Sequence, residues 1–389
     1  MQLERHKGMA ARGAPPPLRV VRIVTLASRT AQYGGPFDTS YQQANLLHSA
    51  GVSVRVLAGH LENDRPTPPS AYPLLATAAA RPLVKGLGFS ALWSSKVLRL
   101  LISEIRHSNL VHISFARELV PLFSSLIAIF LRKPLVLQPH GMLTSERGLR
   151  HRLVDPMVRA IYRRAASVIA LTEIEANALT DWIGKRHAPT IYVVGNPLPF
   201  TQIARQASAH RSSDAIFIGR LHPRKRVGDF IEAARVSLLE GWEEQYTIVG
   251  PDHGSLIEVA AGAKSLANLK YLGAVAATEI EALLHQSSVF VLPSHREPWG
   301  NVLVAAISMG LPVVVTESAA LAPEIAENHL GIVVPDGDPR AISRAVHLIL
   351  TDSWRTAEQS AAAGRYSAAR FSSERVIAGL LKAYSLALA

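Results

Sequence analysis

Short apolar runs of strand length alternate along this chain with longer stretches that mix apolar and polar positions at helical spacing. This is the pattern of parallel α/β sheets. Residues 19–27 (RVVRIVTLA) predict a first strand, followed by a loop with Gly34-Gly35, a helix over 39–49 and a strand over 53–57. Further strands are expected at 110–113, 134–137, 167–171 and 190–194. Near residue 200 the pattern stops, and the polar stretch 201–214 (TQIARQASAHRSSD) reads as a linker. A second series then predicts strands at 215–218, 246–249, 289–292 and 312–315, with helices at 227–239 and 302–309. Two α/β sets joined by a polar hinge imply a ligand cleft at the carboxyl ends of both sheets.

The domain layout that follows is a disordered tail over 1–18, a first domain over 19–200 and a second over 212–369. Residues 372–386 mix apolar and polar positions at helical spacing, so a final helix within 370–389 is expected to pack back on the first domain. The first residues are basic but have no apolar stretch before their proline run, unlike a secretory signal. The longest apolar run, 119–131, is interrupted by Pro121, Ser124 and Ser125 and falls short of the roughly 20 residues a spanning helix needs.

Composition narrows the setting. The chain is 48% hydrophobic and has no cysteine. That excludes disulfides and thiolate metal sites and points to the reducing cytoplasm. Its net charge of +11 is uneven: residues 1–200 hold 24 Lys+Arg against 11 Asp+Glu, and the remainder 17 against 19. A basic first half is expected to meet something anionic. Nucleic acid is disfavoured, because zinc-finger spacing is absent and aromatics are only 6%, with no basic aromatic cluster. A membrane surface or a phosphorylated acceptor fits better. Arg81, Lys85, Lys96, Arg99 and Arg106 accompany an apolar series from Leu92 to Ile105. An interfacial helix there would attach the protein peripherally to an inner leaflet; the alternative is a core helix with a solvated basic side.

The most informative segment for chemistry is 292–312 (LPSHREPWGNVLVAAISMGLP). A buried strand ends, and a loop carrying Glu297 leads into a helix beginning near Pro298, Trp299 and Gly300. A carboxylate beside unpaired backbone N–H groups suits sugar hydroxyls and oxyanions, though an acidic residue there can also simply satisfy the helix dipole. In FIGRLHPRKR (217–226), Arg220 and Lys225 follow a strand, where two cations suit a departing diphosphate. Gly34-Gly35 would let backbone approach phosphate closely.

Together with GGPFDTS, QPHGM (138–142), ALTEIEANAL (170–179), GNP (195–197), IVGPD (248–252), HREPWGNVLVAA, MGLPVVVTES and PEI, these stretches resemble family 4 of the retaining glycosyltransferases, in family order from about residue 19 to 385. The resemblance implies the GT-B fold, two Rossmann-like domains facing each other across a cleft. It implies transfer from a nucleotide-sugar donor to a glycan or lipid-linked acceptor with retained anomeric configuration, as in polysaccharide or glycolipid synthesis, without a metal or other cofactor. By residue, it implies Gly34, Gly35, Arg220 and Lys225 on the donor diphosphate. His140 would stand near the transferred sugar, and Glu297, Trp299, Gly300 and Asn301 would bind it. One position departs: the family's second Glu falls on Ala305, leaving the donor ribose without its usual carboxylate. Glu324, in the PEI segment, is the candidate substitute.

Asp336-Gly337-Asp338 looks like a metal-binding Asp-x-Asp, but its place between a strand and a helix predicts a turn and an N-cap. The histidines lack metal-ligand spacing, so no metal is assigned. A nucleotide-sugar epimerase of the same fold and a non-catalytic partner protein are the alternative functions; Ala305 favours the latter.

Overall fold

The computed structural model describes residues 18–28, 36–66, 73–83, 88–143, 149–198, 214–351 and 357–388. The expected tail, apart from Leu18, the Gly34-Gly35 loop and nearly all of the expected linker lie outside them.

The first half runs β1 (Arg19–Leu26), α1 (Pro36–Ser49), β2 (Ser53–His60), β3 (Leu75–Ala79) and a small antiparallel pair, β4 (Arg81–Pro82) with β5 (Leu92–Trp93). Next come α2 (Ser95–Arg106), β6 (Leu110–Ser114), α3 (Leu119–Phe130), β7 (Leu135–Gln138), α4 (Leu149–Tyr162), β8 (Ser167–Ala170), α5 (Glu173–Ile183) and β9 (Thr190–Val193). The second half begins with β10 (Asp214–Ile218), α6 (Val227–Leu239), β11 (Gln245–Val249), α7 (Leu256–Ser265), β12 (Leu269–Tyr271) and α8 (Ala277–Gln286). It continues through β13 (Val289–Leu292), α9 (Asn301–Ser308), β14 (Val313–Thr316), α10 (Ala322–Glu327), β15 (Gly331–Val334), α11 (Pro339–Thr351), α12 (Ala357–Phe371) and α13 (Ser373–Leu388).

Two parallel sheets result, ordered β3-β2-β1-β6-β7-β8-β9 and β12-β11-β10-β13-β14-β15. In each, the order reverses beside the first strand, leaving a crevice at the carboxyl ends of β1 and β6 and of β10 and β13. Helices cover both faces, which is why the central strands read as continuous apolar runs. VFVL of β13 and VVVT of β14 are buried at every position. Edge strands are less covered and read less clearly: LATAA of β3 is only half-buried throughout.

The last helix crosses between the halves. Val376, Leu380, Ala383 and Tyr384 of α13 recur at helical spacing and are buried with Val20, Val24 and Leu47 of the first half. Ser167 Oγ donates to the Ala383 carbonyl at 3.0 Å, fixing α13 against β8. Each large apolar side chain so buried contributes about 1.5–3 kcal/mol.

One expectation is corrected here. The apolar face of α2 does not await a membrane: Val97, Leu101 and Ile105 are buried in the first core, and Ile102 is exposed. Amphipathic spacing shows that a face is covered, not what covers it.

Candidate active site

The two crevices open onto one cavity of about 350 Å³ between the halves. From the first half it is lined by Val24–Leu26 at the end of β1, Ser114 at the end of β6 and the His140–Met142 loop after β7. From the second it is lined by Gly219, Arg220, Arg224 and Lys225 after β10 and by Glu297–Leu303 after β13. His140, Arg220, Lys225, Glu297, Trp299, Gly300 and Asn301 therefore share one site.

Backbone strain marks these loops. His140 (φ 53°), Arg226 (φ 50°) and Arg296 (φ 51°) all adopt the left-handed region, uncommon for residues with a Cβ. The turn at His140 continues into Gly141 (φ 75°), whose amide donates to Glu175 Oε1 at 2.5 Å. Glu175 Oε2 accepts from Leu171 N at 2.7 Å, so one buried carboxylate ties the loop after β7 to the loop after β8. Burial pushes the Glu175 carboxyl up, opposed by those two amides.

The His140 imidazole is buried, with Nε2 3.0 Å from Ser114 Oγ, itself 2.9 Å from Ser40 Oγ of α1. Burial, then the charge of Arg22, lowers its pKa to about 3, so His140 is neutral at ordinary pH.

Across the cavity, Lys225 Nζ donates to Glu297 Oε2. Burial would raise the Glu297 carboxyl, but Lys225, then Arg224 and Ser294, hold it below the usual range. The His295 amide donates to the Arg224 carbonyl at 2.9 Å and the Ala320 amide to the Glu297 carbonyl at 2.8 Å, so backbone bonds seat both loops. Arg220 is half-buried; burial and Arg224 lower its pKa, opposed by Glu297. Lys225 keeps donors beyond the one given to Glu297, since an ammonium has three. The first-turn N–H groups of α9 have no partner within the helix and begin at the same rim.

The halves meet closely. A Cβ on Gly141 would stand 2.1 Å from Pro298 Cβ, and one on Gly195 2.4 Å from the Trp299 ring. Asn196 Nδ2 donates to Asn301 Oδ1 at 3.0 Å across the same junction.

Glu324 is engaged elsewhere. Its carboxylate accepts from the Tyr366 hydroxyl and from Arg370 Nε (3.0 Å), both on α12, and it does not line the cavity. Ala305 is 1% exposed, one turn below Asn301 in α9. Ala305→Glu is therefore expected to lower the unfolding temperature without tightening donor binding, because a carboxylate forced into a covered site costs several kcal/mol. Thermal melts beside donor titration check this; unchanged stability with tighter donor binding would contradict it. Asp338 Oδ1 accepts from Ala341 N at 2.9 Å and Gly337 turns at φ 72°, the geometry of a helix cap. Among the described residues no cluster of His, Asp or Glu could hold a metal ion.

Arg224, Asn196, Ser114 and Glu118 also line the cavity and had not been singled out. Arg224 and Asn196 fall inside the quoted FIGRLHPRKR and GNP stretches; Ser114 and Glu118 carry no such signal and become visible only once β6 is placed centrally.

Two Rossmann-type sheets whose carboxyl edges share one cavity define a GT-B protein. Residues 33–200 match the model of Glycosyltransferase Family 4, and residues 200–370 that of Glycosyl transferases group 1. The chain belongs to this family of glycosyltransferases. It is 27% identical over 211 residues to a glycogen synthase of Mycobacterium tuberculosis, covering 53% of this chain and 50% of that one. It is 30% identical over 246 residues to a D-inositol 3-phosphate glycosyltransferase of Geodermatophilus obscurus, covering 58% and 54%. The chain thus spans about half the length of the curated relatives it matches. Among solved structures, Anabaena HepE in complex with UDP and glucose superposes with a TM-score of 0.71 at 17% identity, covering 95% of this chain and 99% of that one. A sucrose-phosphate synthase from Thermosynechococcus elongatus gives 0.71 at 18%, covering 95% and 98%.

Proposed function

We propose that the protein transfers a sugar from a nucleotide-sugar donor to a glycan or lipid-linked acceptor, retaining anomeric configuration and needing no metal. The observation that carries the reading is the cavity that gathers Arg220, Lys225 and Glu297 from one half opposite His140 from the other. Arg220 and Lys225 take the donor diphosphate, Lys225 bridging it to Glu297, which accepts from sugar hydroxyls. As the bond from the anomeric carbon to phosphate breaks, the two cations offset the charge left on the diphosphate. The acceptor oxygen bonds to the same face, and its proton passes to the departing phosphate oxygen. His140, neutral and fixed by Ser114, adds no positive charge beside the sugar. With two cations on the diphosphate, a metal has no separate task. A UDP-sugar is the first donor to test, since HepE is the neighbour bound to UDP and glucose.

The setting we assign is cytoplasmic, on the inner face of a membrane. No described helix is long and apolar enough to span one. The surface that supports attachment is α3 with its neighbours: Phe123, Leu126 and Phe130 (85% exposed) recur at helical spacing on α3, and the adjoining α4 exposes Leu153 and Met157. Lys96, Arg99 and Arg106 of α2 are exposed alongside. An apolar stripe flanked by cations suits anionic headgroups, each cation worth about 1 kcal/mol and screened by salt. Flotation with anionic vesicles should show binding at low salt that Phe130→Ser and Leu126→Ser weaken; no low-salt binding would remove the membrane from the account.

Product analysis tests the chemistry. With donor, acceptor and excess chelator, NMR should show a product with the donor's anomeric configuration. An inverted product, or transfer abolished by the chelator and restored by a divalent ion, would overturn it.

A further inference from the structure

An interior strand of the first sheet, β1, carries a charge in its middle. Arg22 of β1 is 1% exposed, and its guanidinium donates to three neutral groups: His112 Nδ1 (2.9 Å), Tyr384 Oη (3.1 Å) and Gln43 Oε1 (2.5 Å). Among the described residues no carboxylate forms an ion pair with it. Burial lowers its pKa, opposed by Tyr384, but a guanidinium stays charged in proteins. A buried cation without a counter-ion is expensive, and packing alone would be better served by an apolar side chain.

Its surroundings show a use. Arg22 lies on the sheet face covered by α1 and α13, and the polar row beside it leads to the cavity: His112 and Ser114 on β6, Gln138 on β7, then His140. Among the described residues, Arg22 Nε and Gln43 Nε2 are buried there without a hydrogen-bond partner, and Gln138 lies beside His112 as its hydrogen-bonding neighbour. Because a guanidinium can only donate, His112 Nδ1 must accept. The Tyr384 hydroxyl lies 2.7 Å from that same nitrogen. A neutral His112 therefore carries its proton on Nε2. Burial, then Arg22, then His140 hold His112 well below the ordinary histidine pKa, and Arg22 is the cation that disfavours charge on His140.

We propose that Arg22 is a positioning residue for sugar transfer: its guanidinium fixes the proton of His112 on Nε2 and keeps the His140 imidazole uncharged against the transferred sugar. This rests on the reading of the cavity as a transferase site. A protonated His140 would put a positive charge next to the carbon that becomes positive as the diphosphate leaves. Burial is the larger obstacle to that charge, and Arg22 adds to it from one layer further back, behind Ser114 and His112. Other ionisable groups around His140 include Asp38 on α1, Glu118 before α3, Glu175 on α5, Tyr384 on α13 and, across the cavity, Arg220, Arg224, Lys225 and Glu297.

Imidazole ¹⁵N NMR of the full chain, titrated from about pH 8 to 5, tests this without any donor. Wild type should show His112 protonated on Nε2 and both imidazoles neutral throughout. In Arg22→Met the protonated fraction of His140 near pH 5 should rise at least about tenfold, a shift of one pH unit. Arg22→Lys, which keeps the cation, should restore the wild-type titration. A folded Arg22→Met with an unchanged His140 titration would overturn the proposal. So would a wild-type His112 protonated on Nδ1, a result that needs no variant to fold. Absence of transfer, by contrast, would overturn the transferase reading while leaving these titrations as they are.

Discussion

Lys225→Ala is expected to reduce transfer about 10²- to 10³-fold, the range seen when one donor to a developing oxyanion is removed. The effect has two sources. The variant loses a cation from the diphosphate, and it strands Glu297, which is 5% exposed and held ionised chiefly by Lys225. Leaving one member of a buried pair unpaired costs about 3–5 kcal/mol, so the melting temperature should fall as well. Lys225→Ala with Glu297→Gln should recover part of that stability but none of the transfer. Arg220→Ala should act on transfer with a smaller loss of stability, since Arg220 is only half-buried and makes no comparable ion pair among the described residues. The two cation losses should combine to less than their sum if they serve one phosphate pair. Steady-state kinetics beside thermal melts check this, and wild-type turnover in the double variant would end the assignment.

The second large effect is expected where the halves touch. Gly141→Ala adds a methyl group 2.1 Å from Pro298 Cβ at a residue with φ 75°, and neither the proline ring nor the left-handed turn can yield easily. Pro298 adjoins Glu297, so the clash is expected to push the Glu297 loop away from His140. A displacement of about 1 Å in such a site can cost about 10²-fold in rate. Gly195→Ala should do the same against Trp299, where the methyl group would stand 2.4 Å from the ring. Gly364→Ala, with nothing within 4 Å of its Cβ, is the control and should leave turnover unchanged. Near-normal turnover of Gly141→Ala would show that the halves need not approach as closely as they do here.

Much of this arrangement was legible in the chain because parallel strands buried on both faces leave unmixed apolar runs, and ligands gather where such strands end. That reasoning located Arg220 and Lys225 after β10 and Glu297 after β13 before any contact was known. Juxtapositions between distant segments were not legible. Nothing in the sequence says that Lys225 meets Glu297, that Gly141 abuts Pro298 or that Asn196 bonds Asn301. Local patterns also leave the covering partner undefined. The apolar face of α2 packs into the core, whereas α3, read only as the longest apolar run, exposes Phe130. Glu324 could be weighed for the ribose only while α12 was unplaced, because Tyr366 and Arg370 of that helix bind it.

The central claim is that the cavity binds a nucleotide sugar through its diphosphate, and donor-dependent thermal stabilisation tests it most directly. A ligand bound only by the native state at a hundred times its Kd adds about 2.7 kcal/mol of stability. The account predicts that within a panel of nucleoside diphosphates and their sugars at least one pair raises the melting temperature, that the matching nucleoside without phosphates does not, and that Arg220→Ala abolishes the rise. A wild-type protein that melts cooperatively yet is indifferent to the entire panel, or an Arg220→Ala variant stabilised as strongly as wild type, would contradict it.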